Sequence, residues 1–259
     1  MNRLAALLAF TAVLAACGSS VEKPIDRPAV GALATPIASV APSPRPEAAD
    51  GRSSFAIVGG DLRRFSTQTG KVTRTYPLTG AWQLTGISAT GAWVALQRAE
   101  TEVLVLDTRR GTTAHRLELR GNFHVEAVSA AGNFLFLQQD FVDGSYAVRG
   151  YDLAAGQLLP GSLGRKGVTV RMQGDAGQVV ASPDGRWLLT VYVETTRNTA
   201  FVHALNLIER VAICIALPPC KRCGADDWTL ALSADQRTLR ATNASGRRAE
   251  IDLARGRVV

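Results

Sequence analysis

The residues of this chain that could do chemistry are few. The tightest group is Cys220-Lys221-Arg222-Cys223, with Cys214 a short distance upstream. Two cysteines at this spacing can form a redox pair, half of a metal site or a small structural disulfide. The redox reading needs a strand-to-helix setting that lowers the thiol pKa. Instead, residues 211–217 predict a strand, and Pro218-Pro219 begins a turn. Haem attachment needs a histidine after Cys223, where Gly224 stands. Zinc needs two further ligands, and His115, His124 and His203 all lie elsewhere in the chain. A disulfide is the expected state, and the spacing leaves open whether Cys220 pairs with Cys223 or with Cys214.

The histidines read as ordinary strand or loop residues. The acidic residues are sparse, in pairs such as Asp175 and Asp184, Asp226 and Asp227, or Asp140 and Asp143. No GxSxG, HExxH, P-loop or EF-hand pattern occurs. Gly161-Ser162-Leu163-Gly164-Arg165-Lys166-Gly167 is glycine-rich, but no helix follows it to hold a phosphate. The sequence therefore implies neither a metal nor a cofactor.

The N-terminus has a different chemistry. One charged residue, Arg3, precedes an uncharged run over residues 4–16 that is too short to span a bilayer, which takes about 20 residues. A charged start, a short apolar core and small residues at its end describe a secretory signal peptide over residues 1–16. Leu14-Ala15-Ala16-Cys17 resembles the lipobox of bacterial lipoproteins. That resemblance implies a diacylglyceryl group on the Cys17 thiol and cleavage before it. The alternative is a plain signal peptide cut near Ala16. Lipid chains contribute about 0.8 kcal/mol per buried CH₂, so the anchor would be effectively permanent. The expected location is the bacterial cell membrane or outer membrane, facing periplasm or exterior. Residues 17–47 hold six of the eleven prolines and read as an extended Pro/Ala/Ser-rich linker.

The remaining chain, 48–259, is long enough for one sizeable domain. The formal charge is +7, yet of 29 basic residues only Lys23, Lys71, Lys166 and Lys221 are lysine. The arginines are scattered, and no basic stripe with interleaved aromatics marks a nucleic-acid surface.

These scattered residues must be positioned by a repeat. Ser88-Ala89-Thr90-Gly91, Ser129-Ala130-Ala131-Gly132, Ser182-Pro183-Asp184-Gly185 and Ser233-Ala234-Asp235-Gln236 are four copies of one turn, and Ala48-Ala49-Asp50-Gly51 is a weaker fifth. A second turn alternates with it: Phe65-Ser66 to Gly70, Leu106-Asp107 to Gly111, Tyr151-Asp152 to Gly156, Leu205-Asn206 to Arg210 and Ile251-Asp252 to Gly256. Between the turns lie short runs rich in β-branched, leucine and aromatic residues, which predict antiparallel strands. The first positions of the first turn are 40, 41, 53 and 51 residues apart, the size of one propeller blade.

Ser182-Pro183-Asp184-Gly185-Arg186-Trp187 resembles the SPDG turn of WD-like and Tol-system propeller repeats, and residues 232–258 are similar to the YVTN-type bacterial surface propeller repeat. The resemblance implies an all-β propeller of about five four-stranded blades. Gln236 and Arg210 replace the expected glycines, which puts the local turn geometry in question. The innermost strand of the first blade is missing. Either that blade is three-stranded, or residues 37–40 fold back to complete it, or the ring is open.

Blades three and four carry insertions at residues 139–145, 159–174 and 194–199. Loops gather at the ends of a propeller, where ligands are held. Phe141, Tyr146, Arg165, Lys166, Arg171 and Arg197 are therefore the expected ligand surface. The reading is a lipid-anchored, non-catalytic scaffold at the cell envelope that binds a protein or glycan and no nucleic acid. The alternative is a lactonase- or hydrolase-like propeller enzyme with an axial site.

Overall fold

The computed structural model describes residues 46–164, 171–220 and 222–259. Five antiparallel sheets follow one another along the chain, each with its strands in sequence order. The first holds β1 (Ser53–Val58), β2 (Asp61–Ser66) and β3 (Val72–Tyr76). The second holds β4 (Gln83–Ile87), β5 (Trp93–Arg98), β6 (Glu102–Asp107) and β7 (Thr112–Glu118). The third holds β8 (Phe123–Val128), β9 (Phe134–Asp140), β10 (Tyr146–Asp152) and β11 (Gln157–Leu158). The fourth holds β12 (Asp175–Ala181), β13 (Trp187–Glu194), β14 (Thr199–Asn206) and β15 (Val211–Ala216). After a single 3₁₀ turn at Ala225–Asp227, the fifth holds β16 (Trp228–Leu232), β17 (Thr238–Asn243), β18 (Arg248–Asp252) and β19 (Arg257–Val258).

The serine of the first turn has a direct task. Its Oγ accepts the N–H that opens the following strand, from Trp93 to Ser88 at 2.9 Å, Phe134 to Ser129 at 3.1 Å, Trp187 to Ser182 at 2.8 Å and Thr238 to Ser233 at 3.0 Å. In the second turn a carboxylate or amide does the same for two successive N–H groups. Asp107 Oδ1 accepts from Arg109 and Arg110, and Asn206 Oδ1 from Ile208 and Glu209. These are Asx turns, in which a short side chain stands in for backbone. Gln236 and Arg210 keep the turn geometry of the glycines they replace, with φ of 60° and 57°. Each is compensated: Gln236 Oε1 accepts the Asp184 N–H at 3.0 Å, and the Arg210 guanidinium lies 4.2 Å from the Phe134 ring centre.

The sheets stack face to face because their middle strands are apolar on both sides, as strands buried on both faces must be. In β5, Val94 and Leu96 pack toward the first sheet with Phe55 and Leu62, while Ala95 packs toward the third with Val125 and Leu137. β6 divides likewise, with Leu104 and Leu106 on one side and Val103 and Val105 on the other. Further clusters lie between the third and fourth sheets around Phe136, Tyr146, Tyr192 and Phe201, and between the fourth and fifth around Leu189, Val202, Trp228 and Leu239. Each fully buried leucine or phenylalanine contributes roughly 1.5–3 kcal/mol relative to an exposed one.

The first sheet has more than its three strands. Residues 46–48 lie against β1, with the Phe55 N–H on the Pro46 carbonyl at 3.0 Å and the Ala48 N–H on the Ser53 carbonyl at 2.8 Å. Among the described residues, 46–48 thus stand in the inner-strand position of the first blade. Proline accepts but cannot donate, which suits it to an edge. Residues 37–40 lie outside the described residues.

Candidate functional site

The strands β4, β8, β12 and β16 each run into a serine turn, so those turns share one end of the molecule. There they close on one another: the Asp50 N–H meets the Ala89 carbonyl at 2.9 Å, and Asp184 meets Gln236. A Cβ on Gly185 would come within 2.8 Å of the Ala89 Cβ and 3.8 Å of that of Ala130. Gly185 also has a φ of 72°, so the turn needs glycine twice over. The same strand directions bring the described parts of the three insertions out at the opposite end.

At that loop end, Arg171 lies 4.0 Å above the Phe141 ring and 3.5 Å from the Asp143 carboxylate. The Gln173 amide donates to the Asp143 carbonyl at 3.4 Å. The Ser145 hydroxyl and N–H, with the Arg171 charge, hold the Asp143 carboxyl below the ordinary carboxylate range. Val142, at the tip of the same loop, is fully exposed. Arg149 ties the insertions down, donating to Gln139 Oε1 at 2.6 Å and to the Leu159 carbonyl at 3.0 Å. Arg197 stands on the β13–β14 hairpin and pairs with Glu194 at 3.2 Å.

Tyr146 belongs elsewhere. Its backbone exchanges two hydrogen bonds with Met172, at 2.9 and 2.8 Å, and its ring is buried against Tyr192 with centroids 5.1 Å apart. Burial, with the neighbouring Tyr192, pushes its hydroxyl far above the usual tyrosine range, so it remains a neutral phenol. The structure therefore brings Phe141 and Arg171 together at the surface and turns Tyr146 inward. Arg165, Lys166 and Cys17 lie outside the described residues.

Between the two ends runs a cavity of about 590 Å³, lined by the 46–49 segment and by β4, β8, β12 and β13. Leu84, Ile87, Val125, Val179, Trp187 and Leu188 form much of its apolar wall. Three inner strands carry a bulge at matching depth, between Leu84 and Gly86, between Val125 and Ala127, and between Ala176 and Val179. A bulge re-aims the side chain at the extra residue. In β8 that residue is Glu126, whose side chain is 12% exposed and whose Oε1 lies 3.4 Å from Nε2 of the fully buried His203. Glu126 Oε2 and both His203 ring nitrogens are buried without a hydrogen-bond partner. Tyr192 packs edge-on to His203 and flat on Phe201. Burial first, and then the Glu126 charge, raise the Tyr192 hydroxyl well above its ordinary value.

Glu126, His203 and Tyr192 carry no signal of spacing in the sequence. One clue was available, the single charge of Glu126 inside the otherwise apolar run 125–128.

Cys220 and Cys223 are joined in a disulfide within the loop before the fifth sheet. Asn243 donates to Cys220 Sγ at 3.3 Å, and the Arg247 guanidinium reaches the Pro219 carbonyl. Cys214, on β15, stands outside that disulfide with its Sγ 3.3 Å from Met172 Sδ. Among the described residues, no group of three or more His, Cys, Asp or Glu is placed to hold a metal.

Five consecutive antiparallel sheets, stacked face to face, with the first four of them lining one cavity, define a β-propeller. No protein family matches the chain, and no curated protein does. Among solved structures it is similar to Kuenenia stuttgartiensis hydrazine synthase, with 14% identity, a TM-score of 0.46 and coverage of 80% of this chain and 64% of that one. It is also similar to the dihydro-heme d1 dehydrogenase NirN in complex with DHE, with 16% identity, a TM-score of 0.45 and coverage of 85% and 46%. The chain thus spans less than two thirds of either.

Proposed function

We propose that this chain is a lipid-anchored propeller of the bacterial cell envelope that acts as a non-catalytic binding scaffold, presenting its loop end to a protein or glycan. The observation that carries the reading is the division between the ends. At one end the serine turns meet, and at the other the described parts of the insertions gather, with the Phe141–Arg171 stack and the exposed Val142 among them. Aromatic, arginine and exposed apolar side chains together are what interface cores use. Anchoring through Cys17 and the 17–47 linker would hold this surface clear of the lipid.

Cross-linking of the full-length protein in its own membrane tests both halves. The expected result is a specific neighbour that is lost in the Arg171→Glu, Arg197→Glu double variant, and release of the chain from the membrane on Cys17→Ser. Retention of every neighbour by the double variant would remove the loop end from the account.

A second reading, an axial hydrolase-like enzyme, draws on the buried Glu126–His203 pair beside the cavity. It requires saturable turnover of an ester or lactone by the purified full chain, abolished by His203→Phe.

A further inference from the structure

The charge of the axial cavity is opposite to that of the molecule around it. The chain carries 29 basic against 22 acidic residues, a formal +7. Yet the described residues lining the cavity include Glu47 and Glu126 and neither a lysine nor an arginine. We propose that this cavity is a binding site for a small organic cation, an amine with an apolar body, and that Glu126 is its counter-ion. The site is separate from the loop-end surface and does not depend on it.

Four observations carry the assignment. At about 590 Å³ the cavity has the size of a small-molecule site, and Gly185 and Ala89, which come close to each other, line one end of it. An anion entering it would face two carboxylates, of which Glu126 stands in surroundings of reduced dielectric, where like charges repel strongly. Glu126 is set by its bulge into the wall with Oε2 lacking any hydrogen-bond donor, and a buried carboxylate so placed is costly until a charge or donor completes it. His203, whose Nε2 lies 3.4 Å from Oε1 without forming a hydrogen bond, does so only in part and acts as the positioning residue for Glu126.

The rest of the wall suits the rest of the ligand. Trp187 and Tyr192 are among the lining residues, and aromatic rings attract ammonium groups as well as apolar surface. Leu84, Ile87 and Val179 supply apolar contact. Tyr192 remains a neutral phenol, so it adds no second anion beside Glu126. His124, half exposed and 3.0 Å from Asp140, stands toward the loop end. The geometry thus selects by charge at Glu126 and by apolar fit elsewhere.

The test uses the detergent-solubilised full chain, titrated calorimetrically with 2-phenylethylamine, 2-phenylethanol and 3-phenylpropionate against matched empty micelles. The amine is expected to bind at one site, at least about tenfold tighter than the alcohol, and the carboxylate to give no saturable heat. Glu126→Gln is expected to weaken the amine roughly 30-fold or more, as loss of one member of a buried charge pair does, and to leave the alcohol unchanged. If Glu126→Gln does not fold, the three-ligand comparison on the unaltered protein decides alone, and Glu47→Gln, at an exposed position, is expected to weaken the amine a few-fold. Equal affinity for amine and alcohol, preference for the carboxylate, or no saturable amine binding up to about 10 mM would overturn the proposal.

Discussion

The joint between the second and third blades and the joint between the third and fourth are built from similar strands, yet they are closed in opposite ways. In the first, Gln97 lies buried between the sheets and uses both ends of its amide. Its Nε2 donates to the Phe123 carbonyl, and its Oε1 accepts the Val125 N–H at 3.0 Å. β4 packs directly along β8 there, and Gly132 of the third blade lies against the Trp93 ring of the second. The fourth and fifth blades repeat the device, with Gln178 Oε1 accepting the Leu230 N–H at 2.6 Å. Between the third and fourth blades no such amide spans the gap among the described residues. Glu126 and His203 face each other instead, with three buried polar atoms left unpartnered. A satisfied amide fixes two sheets at little cost, whereas a half-satisfied ionisable pair is a poor way to stabilise anything. The joint that is worse for stability is the one that sets a carboxylate, Glu126, in the cavity wall, and that is the pattern expected of a site retained for binding.

This contrast predicts large effects at the amide-closed joint. Gly132→Ala is expected to lower stability by about 4 kcal/mol, combining a left-handed backbone with collision against Trp93. A urea titration would show it, and a loss under about 1 kcal/mol would mean that the two blades separate easily. Gln97→Met, close in shape, is expected to cost about 3 kcal/mol because it strands the Phe123 carbonyl and the Val125 N–H. If calorimetry shows no change, the amide does not hold the joint. Smaller still is a pH effect at the joint between the first two blades, where the Arg74 guanidinium donates to the carbonyls of Thr108, Arg109 and Arg110. Asp107 shapes that turn. Burial alone would raise its carboxyl, but the N–H groups and charges of Arg110 and Arg109 prevail and hold it below its ordinary value. A depressed carboxylate contributes stability above its unfolded pKa of about 3.9 and loses that contribution as pH falls through the folded value. Asp107→Asn is therefore expected to flatten the acid limb of the stability curve below about pH 4, and an unchanged limb would remove Asp107 from it.

Much of the architecture was legible because turns are local. Ser88, Ser129, Ser182 and Ser233 act within five residues of themselves, and so do Asp107, Asp152, Asn206 and Asp252. Their spacing therefore reports blades directly. The doubt over Gln236 and Arg210 was resolved only by the fold, since each accepts a left-handed backbone in exchange for a contact with a neighbouring blade. Its position beside a long loop points Tyr146 to the ligand surface, but that loop returns through Met172 and turns the ring inward. Glu126 and His203 were hidden for a related reason. Whether a residue sits in a bulge depends on the register with its partner strand, and whether two residues meet across a joint depends on how blades stack. Neither property is written in any short stretch of chain.

The central claim is that the Glu126–His203 joint serves binding and not stability. Its most direct test is a double-mutant cycle with Glu126→Leu and His203→Phe, following urea unfolding and 2-phenylethylamine titration on the same samples. The account predicts that His203→Phe alone is destabilised by about 2 kcal/mol or more, that the double variant recovers to within about 1 kcal/mol of the unaltered protein, and that it no longer binds the amine. A double variant as unstable as the sum of its singles, with amine binding intact, would contradict it.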